Sequence, residues 1–326
     1  MIEVNNVSKN YGDKVAVKDL SFRANKGEIL GFLGPNGAGK TTTMRMITGF
    51  TPPASGNITV DGIDVVEDPM EIARKIGYLP EDAPLYPEMT VADFLDFMGE
   101  MKEVPARERR KEVDRVVAQL ELGPVYRRLV GNCSLGYRHR IGLAQALLGD
   151  PEILILDEPT SGLDPRQRLE IRDLIRGLAG RRTVILSSHV LPEVQQTCER
   201  VVIINEGKLV AEDTPSGLAA RLEGQSSLKI RTRAPEDRAK SILSGIAGII
   251  RVTSDPTGGS REAPAFVVEM EAETDVREDI FFRFAGEGIP ILEMTPTGFS
   301  LEDIFLKLTT EDPGRSEERR EEATES

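Results

Sequence analysis

The stretch Gly34-Pro35-Asn36-Gly37-Ala38-Gly39-Lys40-Thr41-Thr42 carries the residue types that grip phosphate. Residues 34–41 fit the spacing G-x-x-x-x-G-K-[ST]. Glycines let the backbone fold closely round an anion, and successive N–H groups then converge on it. Lys40 supplies a full positive charge for outer phosphates, and the Thr41 hydroxyl is placed to ligate a divalent cation. Downstream, Asp157-Glu158 closes the apolar run Ile153-Leu154-Ile155-Leu156, and Ser187-Ser188-His189 closes a second run at 183–186. Side chains at the carboxyl ends of parallel strands line a ligand crevice. Asp157 is therefore positioned to hold Mg²⁺, and Glu158 to orient and polarise an attacking water. The same pair also suits a plain helix cap. His189 reads either as an ordinary loop histidine or as a donor to a γ-phosphate and that water. Tyr11 reads either as a half-exposed strand aromatic or as a platform on which a base stacks.

The elements that must position these groups follow from periodicity. Residues 28–33 form a short apolar run, read as a buried strand, and 42–47 open a helix, which is the strand–loop–helix frame the motif requires. That helix adds a partial positive charge at the loop. Residues 1–26 alternate apolar and polar and predict antiparallel strands broken by the turn Tyr11-Gly12-Asp13-Lys14; 56–66 add more strand around Asp61-Gly62. From Thr90 the pattern turns helical, with Val91, Phe94, Leu95, Met98 and Met101 on one apolar face. A second helix at 107–120 turns Val113, Val116, Val117 and Leu120 to one side. A helix at 134–149 precedes the strand that ends in Asp157, and strands and helices then alternate to about 204. Such alternation after the loop strand predicts a parallel sheet with crossover helices.

Composition shifts near 224–227. Beyond it we read strand 228–232, helix 235–246, strands 249–253 and 266–272, helix 276–285 and strand 290–294, the βαββαβ order of a ferredoxin-like split unit. A helix at 301–308 and a charged tail at 311–326, predicted to be disordered, complete the chain. The expected domains are thus a nucleotide-binding domain at 1–225 with a helical subdomain at about 88–148, a small α+β domain at 226–310, regulatory or dimer-stabilising, and the tail.

A length of 326 residues suggests two domains. The net charge of −13 argues against a nucleic-acid binder, which needs basic surface, and against direct binding to anionic lipid. The two cysteines, Cys133 and Cys198, match neither zinc spacing nor a secreted disulfide framework, so a reducing cytoplasmic compartment is expected. Met1-Ile2-Glu3-Val4 lacks the basic-then-apolar pattern of a leader, and no apolar run approaches the roughly 18–20 residues that span a bilayer. Any action at a membrane is expected to run through a partner.

Taken together, these residues resemble the nucleotide-binding subunits of ATP-binding cassette (ABC) transporters, over about 1–220. Residues 34–41 are similar to Walker A, Ile153 to Asp157 with Glu158 to Walker B and its catalytic carboxylate, and Ser161-Gly162-Leu163-Asp164 to the D-loop. His189 matches the switch histidine, Tyr11 the adenine-stacking aromatic, and Ser134-Leu135-Gly136-Tyr137-Arg138 the family signature. The order and spacing of all six make coincidence negligible. Gly77-Tyr78-Leu79-Pro80-Glu81 and Leu301-Glu302-Asp303-Ile304-Phe305 resemble the subgroup serving ABC-2 type permeases, including gliding-motility, copper-processing and drug-export ATPases.

The resemblance implies a RecA-like mixed α/β sheet, an antiparallel β subdomain and a helical signature subdomain. It implies MgATP hydrolysis between two copies packed head to tail. Each ATP would lie between residues 34–42 of one copy and Ser134 and Gly136 of the other. Lys40, Glu158 and His189 would act in catalysis, with Thr41, Asp157 and Glu81 at the metal. The implied partners are a second copy and integral membrane permease subunits, with the chain on the inner face of the membrane. A soluble non-transport ABC ATPase and a nucleotide-sensing regulator are the alternatives; the first normally carries a long coiled-coil insertion or a second cassette, and Glu158 and His189 weigh against the second.

Three departures stand out. Cys133 replaces the usual leucine; Leu135, Tyr137 and Arg138 differ from the commonest signature, Leu-Ser-Gly-Gly-Gln; and Glu81 stands where a glutamine is usual. A carboxylate can ligate Mg²⁺ but cannot donate an amide's hydrogen bonds, and it adds negative charge beside Asp157 and Glu158.

Overall fold

The alternating start of the chain forms β1 (Ile2–Tyr11) and β2 (Lys14–Ala24), a hairpin turning at residues 12–13 as the pattern predicts. In the computed structural model, residues 1–218, 227–260, 263–270 and 274–297 are described. The helix expected at 301–308, the tail at 311–326 and the last two residues of the strand expected at 266–272 lie outside the described residues. The chain divides into two units, Met1–Thr214 and Pro215–Ser326.

In the first unit, β3 (Ile29–Leu33) leads through the glycine-rich loop into α1 (Lys40–Ile47). Next come β4 (Ser55–Val60), β5 (Ile63–Asp64), α2 (Pro69–Lys75) and β6 (Ile76–Leu79). Asp61 and Gly62 both take positive φ, 50° and 82°, the tight hairpin turn their types favour. The helical insert is α3 (Val91–Met101), α4 (Ala106–Gln119) and α5 (Leu135–Leu147). Then β7 (Ile153–Asp157), α6 (Pro165–Arg176), β8 (Thr183–Ser188), α7 (Leu191–Thr197), β9 (Arg200–Asn205) and β10 (Lys208–Asp213) alternate.

Two sheets result: an antiparallel one ordered β2-β1-β4-β5, and a mixed one ordered β10-β9-β3-β8-β7-β6. From β9 to β6 all pairs are parallel; only β10 is antiparallel, to β9. Every residue of β3, β7 and β8 is buried, which is why these strands read as apolar runs, with polar residues only at the ends of β7 and β8. Ile2, Phe22, Met44, Ile58, Ile155 and Ile185 belong to one buried cluster that joins both sheets to α1.

The insert corrects one expectation. Met101 is 60% exposed, although it falls on the apolar stripe of α3. The stripe ends instead at buried Gly99, over which the stem of Arg109 from α4 packs, and the final turn carries Met101 past that contact.

The second unit holds β11 (Ser227–Thr232), α8 (Glu236–Ser244), β12 (Ile249–Ser260), β13 (Ala263–Met270), α9 (Arg277–Gly286) and β14 (Ile291–Thr297). The sheet is antiparallel throughout, ordered β12-β13-β11-β14, the arrangement of a split βαβ pair. Phe266, Val268 and Phe284 anchor its core. β12 runs well past residue 253, where its apolar residues end, because backbone pairing to β13 continues through Asp255↔Ala265 and Ser260↔Ala263. Lys229 holds Asp255 at 2.9 Å across that extension.

Lys102, just after α3, donates to the carbonyls of Ala146 (3.0 Å) and Leu148 (3.1 Å) at the end of α5. Burial pulls its ammonium pKa down to about 8, against an unperturbed 10.5. Between those values the folded chain holds fewer protons than the unfolded one, so this group makes stability rise as pH rises. The stability of the native chain relative to K102M, read from urea unfolding, is expected to increase by about 1–3 kcal/mol from pH 8 to pH 10. A pH-independent difference would show that Lys102 does not titrate in this way.

Candidate active site

Strand register assembles the site. Asp157 pairs with Ser187 across β7 and β8, while Phe32 pairs with Ser187 and Leu33 with Ser188 across β3 and β8. The three strands therefore end level, and the residues that follow them, Gly34, Glu158 and His189, leave from one carboxyl edge. Gly34 N–H donates to the Ser188 carbonyl at 3.4 Å.

The loop at 34–42 wraps into α1 without any side-chain cap, so the first-turn N–H groups of the helix remain available to an anion. Gly39 makes this turn with φ 103°, and a Cβ there would lie 2.5 Å from the Ala16 carbonyl of β2. No other residue type fits. The same contact brings β2 against the loop, and Tyr11, at the tip of the β1–β2 hairpin, is 49% exposed. Lys9 Nζ lies 5.6 Å from the Tyr11 ring centroid.

Lys40 is 6% exposed. Its ammonium donates to the carbonyls of Gly34 (2.8 Å) and Pro35 (3.3 Å) and lies 3.2 Å from Glu158 Oε1. These are acceptors that phosphate oxygens can replace. Glu158 is also buried, and its φ of 49° is left-handed, a conformation that costs a non-glycine residue about 1–3 kcal/mol. Its N–H is held by Ser187, by Oγ at 2.9 Å and by the carbonyl at 3.2 Å. Glu158 Oε2 lies 2.9 Å from His189 Nδ1. An ionised carboxylate only accepts, so Nδ1 carries the proton, which leaves Nε2 of the half-exposed ring for a ligand.

Asp157 is fully buried. Its Oδ1 accepts a 2.5 Å hydrogen bond from Ser187 Oγ, while Oδ2 is buried without a partner. Burial pushes the carboxyl pKa up, the Ser187 and Thr41 hydroxyls beside it pull it down, and the Glu158 charge raises it again. A buried carboxylate oxygen with no donor is costly unless a cation or water meets it. Oδ2, with Thr41 nearby, suits Mg²⁺, which takes one or two protein ligands and completes its shell with phosphate and water. Among the described residues no group of three or more His, Cys, Asp or Glu side chains could hold a metal by itself. Glu81, after β6, is exposed; partial burial raises its carboxyl pKa first, then the charges of Asp157 and Glu158.

Ser134 and Gly136 lie elsewhere. Ser134 caps α5, its Oγ accepting from Tyr137 N–H at 3.5 Å. The adjoining cleft, of about 700 Å³, is lined by Ser134, Gly136, Tyr137, Arg140, Gln167 and Glu170 among others, and by no residue of the phosphate loop. Asp164 caps α6, accepting from Gln167 N–H at 2.9 Å. The sequence reading missed Ser187, whose hydroxyl serves both Asp157 and Glu158. Its signal was present: hydroxyls occupy the last two positions of an otherwise apolar buried strand, directly before His189.

The ABC transporter family model matches residues 17–161. The chain is 33% identical over 318 residues to the linearmycin resistance ATP-binding protein of Bacillus subtilis (strain 168), covering 95% of this chain and 98% of that protein. It is 34% identical over 318 residues to a daunorubicin resistance ATP-binding protein of Streptomyces coeruleorubidus, covering 95% and 96%. Among solved structures it is similar to a dimeric, post-hydrolysis ATP-binding cassette bound to ADP and Pi, with a TM-score of 0.60, 25% identity, and coverage of 66% of this chain and 98% of that one. With its phosphate loop, its carboxylates on one sheet edge and its identity to relatives along nearly their whole length, the chain belongs to the ABC transporter family, as an ATP-binding subunit that hydrolyses ATP.

Proposed function

We propose that two copies of this chain pack head to tail and drive export through a separate membrane permease. The observation that carries the site is the network of buried Lys40, Glu158, Ser187 and Asp157 at one sheet edge, with half-exposed His189 at its margin. In this reading the N–H groups of residues 34–42 and the Lys40 ammonium hold the β- and γ-phosphates, and Tyr11 stacks on adenine. Glu158 takes a proton from the attacking water as its oxygen bonds the γ-phosphorus and the bond to ADP breaks, giving ADP and phosphate. His189 Nε2 contacts the γ-phosphate while Nδ1–H holds Glu158 in place. Thr41 and Asp157 would hold Mg²⁺, with Glu81 at the rim, and the ion would offset charge on the phosphate oxygens.

Ser134 and Gly136 supply the second half of the phosphate clamp from the other copy, with Asp164 beside them. Their position away from their own phosphate loop supports this, as does the dimeric cassette among the structural neighbours. The resistance functions in the relatives' names support export. No helix among the described residues is long and apolar enough to cross a membrane, which fits docking on a permease at the inner membrane face. The second unit is proposed to be regulatory or dimer-stabilising.

Lys40→Ala is expected to abolish MgATP hydrolysis by the purified chain; unchanged turnover would remove the loop from catalysis. Glu158→Gln should accumulate an ATP-bound dimer on a sizing column, and a monomer at saturating MgATP would overturn the head-to-tail arrangement. Ser187→Ala strips Asp157 and Glu158 of a shared partner, so kcat should fall about 10–100-fold with ATP affinity changed far less. A kcat within twofold of native would make Ser187 a bystander.

A further inference from the structure

His139 lies on α5, one turn beyond Gly136, and its Nδ1 is 2.9 Å from the carbonyl of Pro159, the residue directly after Glu158. A carbonyl only accepts, so Nδ1 carries the proton and donates. Burial lowers the pKa of the imidazole and keeps it in the neutral form that this bond uses. The loop it grips is otherwise held from its far side: Ser161 N–H donates back to the Glu158 carbonyl at 3.0 Å, and Thr160 Oγ1 donates to Glu193 of α7 at 2.6 Å. His139 is its hydrogen bond to α5.

The first turns of α5 also press on this loop and on α6. Leu135 packs over Gly162. Gly136 approaches Gln167 so closely that a Cβ would sit 2.9 Å from its amide carbon. Arg140 pairs with Glu170 at 2.7 Å. The helix that begins at Ser134 and the loop that begins at Glu158 therefore form one packed body, and of these contacts from α5 the His139–Pro159 bond falls closest in sequence to the strained Glu158 backbone.

We propose that His139 is a positioning residue that fixes Glu158 through the Pro159 carbonyl, and that it thereby couples the two nucleotide sites of a dimer. The coupling rests on the head-to-tail reading above; the positioning does not. In that dimer the start of α5 faces the nucleotide bound by the other copy, while His139, one turn along, holds the base of its own site. Seating of one nucleotide against Ser134 and Gly136 is then felt at the Glu158 that activates the water attacking the other.

The test compares H139L, which keeps bulk but has no donor, with H139N, whose side-chain N–H falls near the place of Nδ1. For the full chain, H139L is expected to lower kcat by about 10–100-fold while KM for ATP stays within twofold, and H139N to recover kcat to within about threefold of native. Native kcat in H139L, or H139N as slow as H139L, would overturn the positioning role. For the coupling, the native chain should show a Hill coefficient for ATP above 1 that falls to 1 in H139L, while E158Q/H139L still dimerises with ATP. Equal Hill coefficients, or loss of the dimer in the double variant alone, would overturn the coupling. If E158Q by itself stays monomeric, the head-to-tail reading and the coupling fail together, and the kcat comparison still judges the positioning.

Discussion

Three charges are buried at the carboxyl edge of one parallel sheet, and the rest of the first unit is arranged to make that bearable. Lys40, Asp157 and Glu158 are each less than a tenth exposed. Isolated, any of them would cost several kcal/mol in such a place. Lys40 and Glu158 answer each other directly, Ser187 hydrogen-bonds both acidic residues, and His189 holds the second oxygen of Glu158. Asp157 Oδ2 is left without a partner, and Glu158 Oε1 has the Lys40 charge at 3.2 Å but no hydrogen bond. The network is complete except at the points where a phosphate and a divalent ion would enter, as expected of a site preorganised for a charged substrate.

The strength of this arrangement comes from backbone register. β3, β7 and β8 are buried throughout, and a parallel sheet buried on both faces allows little slippage once helices cover it. The Asp157↔Ser187 and Leu33↔Ser188 pairs then place a carboxylate, a hydroxyl and the phosphate loop side by side with no need for long side chains to search for one another. Catalytic groups on strand ends are held more tightly than groups on free loops, and the left-handed turn at Glu158 is sustained because Ser187 grips its N–H from the neighbouring strand.

This also explains what the sequence makes legible. Asp157, Glu158 and His189 are readable because each follows an apolar run whose burial dictates a strand, and strand ends are where parallel sheets place ligands. Thr90, Ser134 and Asp164 are readable as caps, since a hydroxyl or carboxylate three residues before a helical N–H has a local reason to be there. The bonds of Ser187 and His139 are not, because they depend on how β8 and α5 lie against residues 20–30 positions away; the hydroxyls that end β8 mark Ser187 as unusual without naming its partners. Met101 fails for a related reason: helical spacing reports the direction a residue faces but not where the neighbouring helix stops. In β12, backbone pairing outlasts the apolar alternation that announces a strand.

The departures from the family signature follow the same logic. Leu135 stands where a glycine is usual, and it is 39% exposed, so its side chain has somewhere to go. Gly136 has less room: a Cβ there would sit 2.9 Å from the amide carbon of Gln167, whose side chain would have to swing aside. Cys133 is buried, 6% exposed, and as a small apolar side chain it fills a place where leucine is usual. Tyr137 and Arg138 begin the helix with side chains at the margins of two clefts. Leu135, Tyr137 and Arg138 thus stand where a side chain has space, Cys133 fills a buried place, and the glycine at 136 is kept where a Cβ would crowd Gln167. Glu81 is different in kind. It adds a carboxylate to a rim that already feels Asp157 and Glu158, and its pKa is raised by partial burial first and by those two charges next. Where a glutamine would contribute only hydrogen bonds, Glu81 makes the entrance of the site more negative, which favours a bound cation and opposes a bare polyphosphate. In the proposed reading, this charge is what a nucleotide arriving with its metal would meet.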